Sequence, residues 1–252
     1  MNAGEILSMA ANEETHWWYR GLRDMIGRTL RTPRFRVPIG AKVLDAGCGA
    51  GENLRLLYGL LKPVYLGGFD LSPLAVKLSQ AKVAGADVYL GDLRDPELHA
   101  DHLDLVLSCD VLSIAGIGDC LSGLARLVGR LRRGGLLILH LPAYPWLYSA
   151  HDAAICTRDR VTAPQVRSLL TDLGLSVEMI SYRLCCLFPA IVLARLPSIL
   201  CRAKRVARSD LRPSPAWVNA ALGTLLRTEN AAIIRGTRFP WGSSVYAVGR
   251  MP

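Results

Sequence analysis

The sequence predicts an α/β protein: a doubly wound, mostly parallel seven-stranded sheet, with an N-terminal helical lid and a helical insertion before the last strand. Three observations point there. Short apolar runs alternate with helical stretches, the rhythm of a parallel sheet covered on both faces. The first run leads into a glycine-rich turn, Ala46-Gly47-Cys48-Gly49-Ala50-Gly51, that opens a helix. Asp45, Asp70 and Asp92 end three successive predicted strands, which puts them at the carboxyl edge where such sheets bind ligands.

Taken in order, residues 4–31 carry one helical pattern, with Trp17, Trp18, Leu22, Met25, Ile26 and Leu30 mostly on one side. Residues 32–40 contain Pro33 and Pro38 and read as a linker. Strands are predicted over 42–45, 64–70, 87–90, 103–108, 136–141, 176–182 and 243–248. Between them, helices are predicted over 52–61, 73–84, 119–131 and 163–173. Ser72 is the expected N-cap of the second, with Pro73 in its first turn. Gly134-Gly135 is expected to end the third, and Gly174 the fourth. About sixty residues, 183–242, separate the last two strands, too many for a plain connection. They read as two helical stretches joined near Pro213 and Pro215. The expected organisation is a lid and linker (1–40), a ligand-binding core (41–182), the insertion (183–242) and the last core strand (243–252).

Composition excludes several classes. With 252 residues, 51% of them hydrophobic, and a mean hydropathy of +0.25, the chain can bury a sizeable core and is neither disordered nor a disulfide-stapled mini-protein. The first 19 residues lack a basic and an apolar segment and hold Glu5, Glu13 and Glu14, so a secretory signal is not expected and a cytoplasmic location is. The seven cysteines form no zinc-type spacing, and no metal is expected. The greasiest run, 184–200, contains Arg195 and two prolines and is short for a membrane span.

The glycine turn carries the chemistry. Gly47, Gly49 and Gly51 let backbone N–H groups approach a ligand at a helix N-terminus. Asp70 at the next strand end can accept both hydroxyls of a ribose, and Asp92 can accept from an adenine amine.

In this order, DAGCGAG (45–51), GFDLS (68–72) and GDL (91–93) resemble the pattern of class I S-adenosylmethionine-dependent methyltransferases. The acid leads the glycine loop, unlike a nicotinamide fingerprint. The resemblance runs nearly the full length of the chain, toward the bacterial small-molecule branch. Its further pieces are His16-Trp17-Trp18-Tyr19-Arg20, Leu141-Pro142-Ala143-Tyr144-Pro145-Trp146-Leu147, His151-Asp152 and Phe239-Pro240-Trp241-Gly242. It implies a Rossmann-like core that binds S-adenosylmethionine and releases S-adenosylhomocysteine. Asp45, Gly47, Cys48, Gly49 and Gly51 would surround the methionyl part, Asp70 and Leu71 the ribose, and Asp92 and Leu93 the adenine. Cys109, Tyr19 and Arg20 would lie close by. The chain departs from the branch where Ser113-Ile114 replaces Glu-His, where Thr157-Arg158-Asp159-Arg160-Val161 replaces a His and paired-Arg stretch, and where His140 replaces a frequent Asn. Those departures imply a specialised acceptor.

Methyl transfer to O or N requires alignment of the acceptor and, for many acceptors, removal of a proton. The candidate bases are His140 and His151, since imidazole exchanges protons near neutral pH. Tyr144 and Tyr148 are candidates to orient an acceptor. Each has a plainer reading as a core or loop residue.

The formal charge of +9 concentrates in the insertion. Residues 183–212 hold seven basic side chains and one acidic, interleaved with apolar ones. Three readings stay open. The insertion caps an acceptor pocket; or residues 183–235 rest on anionic lipid at the inner membrane surface and collect a lipid-like acceptor; or the segment docks RNA. The last is the least expected, because no Asn/Asp-Pro-Pro-Tyr turn follows Ser108-Cys109-Asp110-Val111. A third class of function, a non-methylating protein that keeps the cofactor fold, is also open.

Overall fold

A computed structural model describes residues 3–200 and 214–252 of the chain. In chain order the elements are α1 (Ala3–Asn12), α2 (Trp17–Arg31), β1 (Lys42–Ala46), α3 (Glu52–Leu61), β2 (Tyr65–Asp70), α4 (Pro73–Lys82), β3 (Asp87–Leu90), β4 (Leu103–Cys109) and α5 (Leu112–Ala115). There follow α6 (Leu121–Gly129), β5 (Leu131–Pro142), α7 (Ala150–Ala154), α8 (Ala163–Asp172), β6 (Ser176–Arg183), α9 (Phe188–Leu200), α10 (Ala216–Ile234) and β7 (Ser244–Arg250).

The seven strands form one sheet in the order β3-β2-β1-β4-β5-β7-β6. All neighbours run parallel except β7, which is antiparallel to both β5 and β6. The chain winds outward from β1 to β3, then returns to lay β4 on the other side of β1. A crevice therefore opens above the carboxyl ends of β1 and β4, the position where doubly wound sheets bind ligands.

The strands are apolar on both faces because helices cover both. Val43, Leu105, Leu107, Ile138 and Tyr246 enter one core cluster, which takes in Leu22, Met25 and Ile26 of α2. Their sequence neighbours Leu44, Val106, Leu137, Leu139 and Val245 enter the other, against α6 and α8. This is the two-residue alternation of strand side chains.

Two expectations are corrected. The pattern over 4–31 is two helices. α1 ends at Asn12, and the imidazole of His16 accepts the Trp18 N–H (3.3 Å) to cap α2. Gly134-Gly135 does not end the third core helix. That helix stops at Gly129, and β5 runs through the glycine pair with a register shift against β4.

Within the insertion, α10 packs along α2. Leu226 lies against Gly21, where a Cβ would collide with it, and Ile233 joins the α2 core cluster. The basic run Arg202, Lys204, Arg205, Arg208 and Arg212 lies outside the described residues. No described helix is long and apolar enough to cross a membrane.

Candidate functional site

The crevice is a cavity of about 620 Å³. One end is formed by the loop after β1. The N–H groups of Gly47 and Cys48 both donate to Phe69 O (2.8 and 2.9 Å), and Gly49 N–H donates to Asp70 Oδ2 (3.0 Å). Asp70 Oδ1 accepts from Ser72 N–H (2.9 Å), so the carboxylate also holds the turn into α4. Gly47 has φ +84° and a side chain there would run into Val111. Gly51, φ +93°, would place a Cβ 2.6 Å from Ser79 Oγ. The loop is thus pinned by β2, α4 and the segment after β4, and only glycine fits these two points.

Asp45 lies beneath the loop, fully buried, and neither carboxylate oxygen has a hydrogen-bond partner among the described residues. Burial, reinforced by the negative charge of Asp70, pushes its pKa up to about 8. Asp45 is not among the residues that line the cavity; it stands behind the loop.

The helical lid closes this end. Met9 of α1 lies over the loop, its Cε 3.1 Å from where a Gly49 Cβ would stand. The turn between α1 and α2 is tied down by ions: Glu13 pairs with Lys82, which also reaches Glu52 (3.1 Å), and Arg55 bridges Glu52 (2.9 Å) and Glu14 (3.2 Å). Tyr19 lines the cavity, and burial followed by the charges of Glu13 and Asp110 keeps its phenol strongly protonated.

The far end is built from α7, the strand-like segment around Val161, and α9. Ser149 and Asp152 form a capping box at α7. Asp152 is buried and accepts from Arg160 Nε (2.9 Å) and Arg195 Nη1 (3.5 Å). Burial alone would raise its pKa, but the two arginines outweigh that and hold it below the usual carboxylate range. His151 lines this end, with Ile191 and Ala194 of α9.

The predicted residues divide accordingly. Tyr19, Gly47, Cys48, Gly49, Asp70, Cys109 and His151 line the cavity. Arg20 does not: it is exposed, since one residue along a helix turns the side chain 100° away from Tyr19. Arg23, one turn on, lines the cavity instead, with Nη2 on Glu13 O (2.5 Å). Gly51 caps α3 behind the lining. Leu71 is 63% exposed. Asp92 is engaged by Arg94, which lowers its pKa, and Leu93 is buried in the core; neither reaches the cavity.

His140 is a correction with consequences. Its ring is completely buried behind the cavity wall. Nδ1 bonds Asp110 Oδ2 (2.8 Å) and Nε2 faces Arg183 Nη1 (3.1 Å), so neither nitrogen is presented to an acceptor. Tyr144 is likewise outside the lining, stacked on Tyr182 (5.1 Å between centroids) and Trp146 (5.5 Å). Tyr148 closes the turn of residues 145–147 through its N–H to Pro145 O (3.3 Å) and is not a lining residue. Sequence reasoning missed Arg23, readable from the helical repeat of Tyr19. It also missed Asp110, a fourth acidic residue at a strand end.

The family model described as a methyltransferase domain matches residues 43–135. Among solved structures, the chain is similar to the plantazolicin methyltransferase BpumL, solved with a desmethyl-plantazolicin analogue and S-adenosylhomocysteine. The identity is 15%, the TM-score 0.61, and the match covers 98% of this chain and 90% of that one. It is also similar to an S-adenosylmethionine-dependent methyltransferase from Mesorhizobium loti (16% identity, TM-score 0.59, 95% and 100% covered). A third similar structure is the [4+2]-cyclase SpnF (14%, TM-score 0.56, 93% and 81%). At these identities the likeness is one of fold, and that fold serves more than one chemistry.

Proposed function

We propose that the chain is an S-adenosylmethionine-dependent methyltransferase acting on O or N of a small or lipid-like acceptor. The observation that carries this reading is the two-ended cavity at the carboxyl edge. A pinned glycine loop and Asp70 form one end, inside the segment that matches a methyltransferase domain, and a separate wall from α7 and α9 forms the other. When bound, the cofactor supplies a methyl group on a sulfonium, an already activated leaving group. Gly47, Cys48 and Gly49 would hold its methionyl part, and Asp70 its ribose.

The chain's own work is alignment, exclusion of water and disposal of a proton. Met9 covers the glycine loop from the lid side, and Tyr19 lines the cavity beside it. His151 is the histidine of the pair that reaches the cavity, and it is the proposed base. Arg160 and Asp152 fix the acceptor wall against the segment just after β5 through Arg160 Nη1 to Ala143 O (2.6 Å).

A lipid-like acceptor agrees with α9. It contributes Ile191 to the cavity while Leu193 is 66% exposed, and Trp217 at the start of α10 is 74% exposed. Co-sedimentation with phosphatidylglycerol vesicles is expected at low salt; recovery wholly in the supernatant would overturn the membrane contact.

The test of the cofactor reading is calorimetric titration of S-adenosylhomocysteine. Micromolar binding to the wild-type protein is expected, weakened about tenfold or more by Asp70→Ala, as for loss of a charge-assisted hydrogen bond. An absence of heat with the wild-type protein would sink it.

A further inference from the structure

A buried polar chain ends on the cavity at Asp110. Its residues come from four elements, β5, β6, α10 and α2, and from the segment after β4. Asp110 follows β4 in a left-handed backbone conformation, φ +60°, unusual for a residue with a side chain. Its N–H donates to His140 O (2.8 Å) and its carbonyl accepts from Ser113 Oγ (2.7 Å), which hold that conformation. Asp110 Oδ2 meets His140 Nδ1 at 2.8 Å, and His140 Nε2 meets Arg183 Nη1 at 3.1 Å. A guanidinium only donates, so Nε2 is the acceptor and the imidazole proton sits on Nδ1, pointing at Asp110. Arg183 Nε donates to Asn230 Oδ1 (3.3 Å). Asn230 Nδ2 in turn donates to Gly21 O (2.8 Å) and Asp24 Oδ2 (2.9 Å) of α2.

His140, Arg183 and Asn230 are buried essentially completely, and Arg183 Nη2 has neither solvent nor a hydrogen-bond acceptor among the described residues. Burying a guanidinium this way is costly. Arg183 and Asp110 attract each other across the imidazole, and the cavity end of the chain is the partly exposed carboxylate of Asp110. Among the described residues, Oδ1 of Asp110 has no hydrogen-bond donor from the protein.

The position of Asp110 gives this arrangement a use. Val111, the next residue, packs on Gly47 of the glycine loop. Ser113 O accepts from the N–H groups of Arg158 (2.7 Å) and Asp159 (3.0 Å), which lead to the acceptor wall. Asp110 therefore stands where the two ends of the cavity meet, and in a methyltransferase that is where the group passes from donor to acceptor.

We infer that Asp110 recognises the positive charge of the methyl donor, and that His140, Arg183 and Asn230 are positioning residues that hold its carboxylate toward that charge. The inference rests on the proposed methyltransferase function. A carboxylate there favours the charged donor over the neutral thioether product, so it sets donor-over-product selectivity and helps product leave. It acts on binding; a charge that stabilises the ground state does not by itself speed the chemical step.

The test compares sinefungin, which carries an amine in place of the methyl-bearing sulfur, with S-adenosylhomocysteine, by calorimetry at pH 7. Their shared amino-acid and nucleoside parts cancel in the ratio. Wild-type protein should prefer sinefungin by about tenfold, the size of one charge-assisted hydrogen bond, and Asp110→Asn should abolish the preference. His140→Asn keeps a donor near Nδ1 and should retain most of it. His140→Gln reaches Arg183 but not Asp110 and should lose it. A nitrogen-15 spectrum of the wild-type imidazole should show the Nδ1–H tautomer. A wild-type preference at or below unity overturns the inference even if no variant folds, as does a preference unchanged in Asp110→Asn. Equal behaviour of the two His140 variants, or the Nε2–H tautomer, removes the positioning role. No binding of either ligand to the wild-type protein instead sinks the cofactor reading.

Discussion

Asp45 shows how one side chain can be read from sequence and still acquire its character from the fold. Its place before the glycine loop was legible; its isolation was not. In the unfolded chain its pKa is about 3.9, and in the fold it is pushed up to about 8 by burial and by Asp70. Below pH 4 both states hold the proton and the group costs nothing. As pH rises toward 8 the unfolded state ionises first, and stability falls. Asp45→Asn should therefore be more stable than wild type in urea unfolding at pH 7, by on the order of 2–5 kcal/mol. The difference should shrink to nothing near pH 4. A constant difference across that range would show that the carboxylate is ionised in the fold. The histidines divide in the same way. His140 and His151 are equivalent as residue types, yet one is spent on Asp110 and Arg183 and the other lines the cavity.

At the scale of elements, the glycine loop and the strand ends were legible because their signals are local: glycines, a leading acid, a two-residue alternation. The break between α1 and α2 was not, because residues 4–31 keep an amphipathic pattern across it. What separates the two helices is the side-chain cap by His16 at the start of α2 and the ion pair of Glu13 with Lys82, the latter a contact between distant segments. The α2–α10 seam is of the same kind. Gly21 lets Leu226 approach, and Trp17 N–H donates to Asn219 Oδ1 (3.0 Å) across it. Gly21→Val should overpack this seam and lower stability by roughly 1–3 kcal/mol in urea unfolding. A midpoint equal to wild type would mean the seam has slack.

At the scale of the whole molecule, lid, sheet and insertion meet around a single cavity, so ligand binding should stabilise the entire cooperative unit. S-adenosylhomocysteine at 100 times its Kd should add roughly 2.7 kcal/mol, seen as a rise of about 5–10 °C in Tm for a chain of this size. Separate melting of α10 from the core would contradict the packing of Leu226 and Ile233. By itself the sequence determined the class of fold and the glycine-loop end of the cavity. Strand periodicity, glycine placement and acidic strand ends are properties of neighbouring residues, and the chain writes them locally. Tertiary structure alone decided that His140 stands behind Asp110, and that Arg183 and Asn230 link α2 to that carboxylate. Those partners lie tens to hundreds of residues apart, and only the assembled sheet and its covering helices, with the burial of Arg183, bring them within hydrogen-bonding distance.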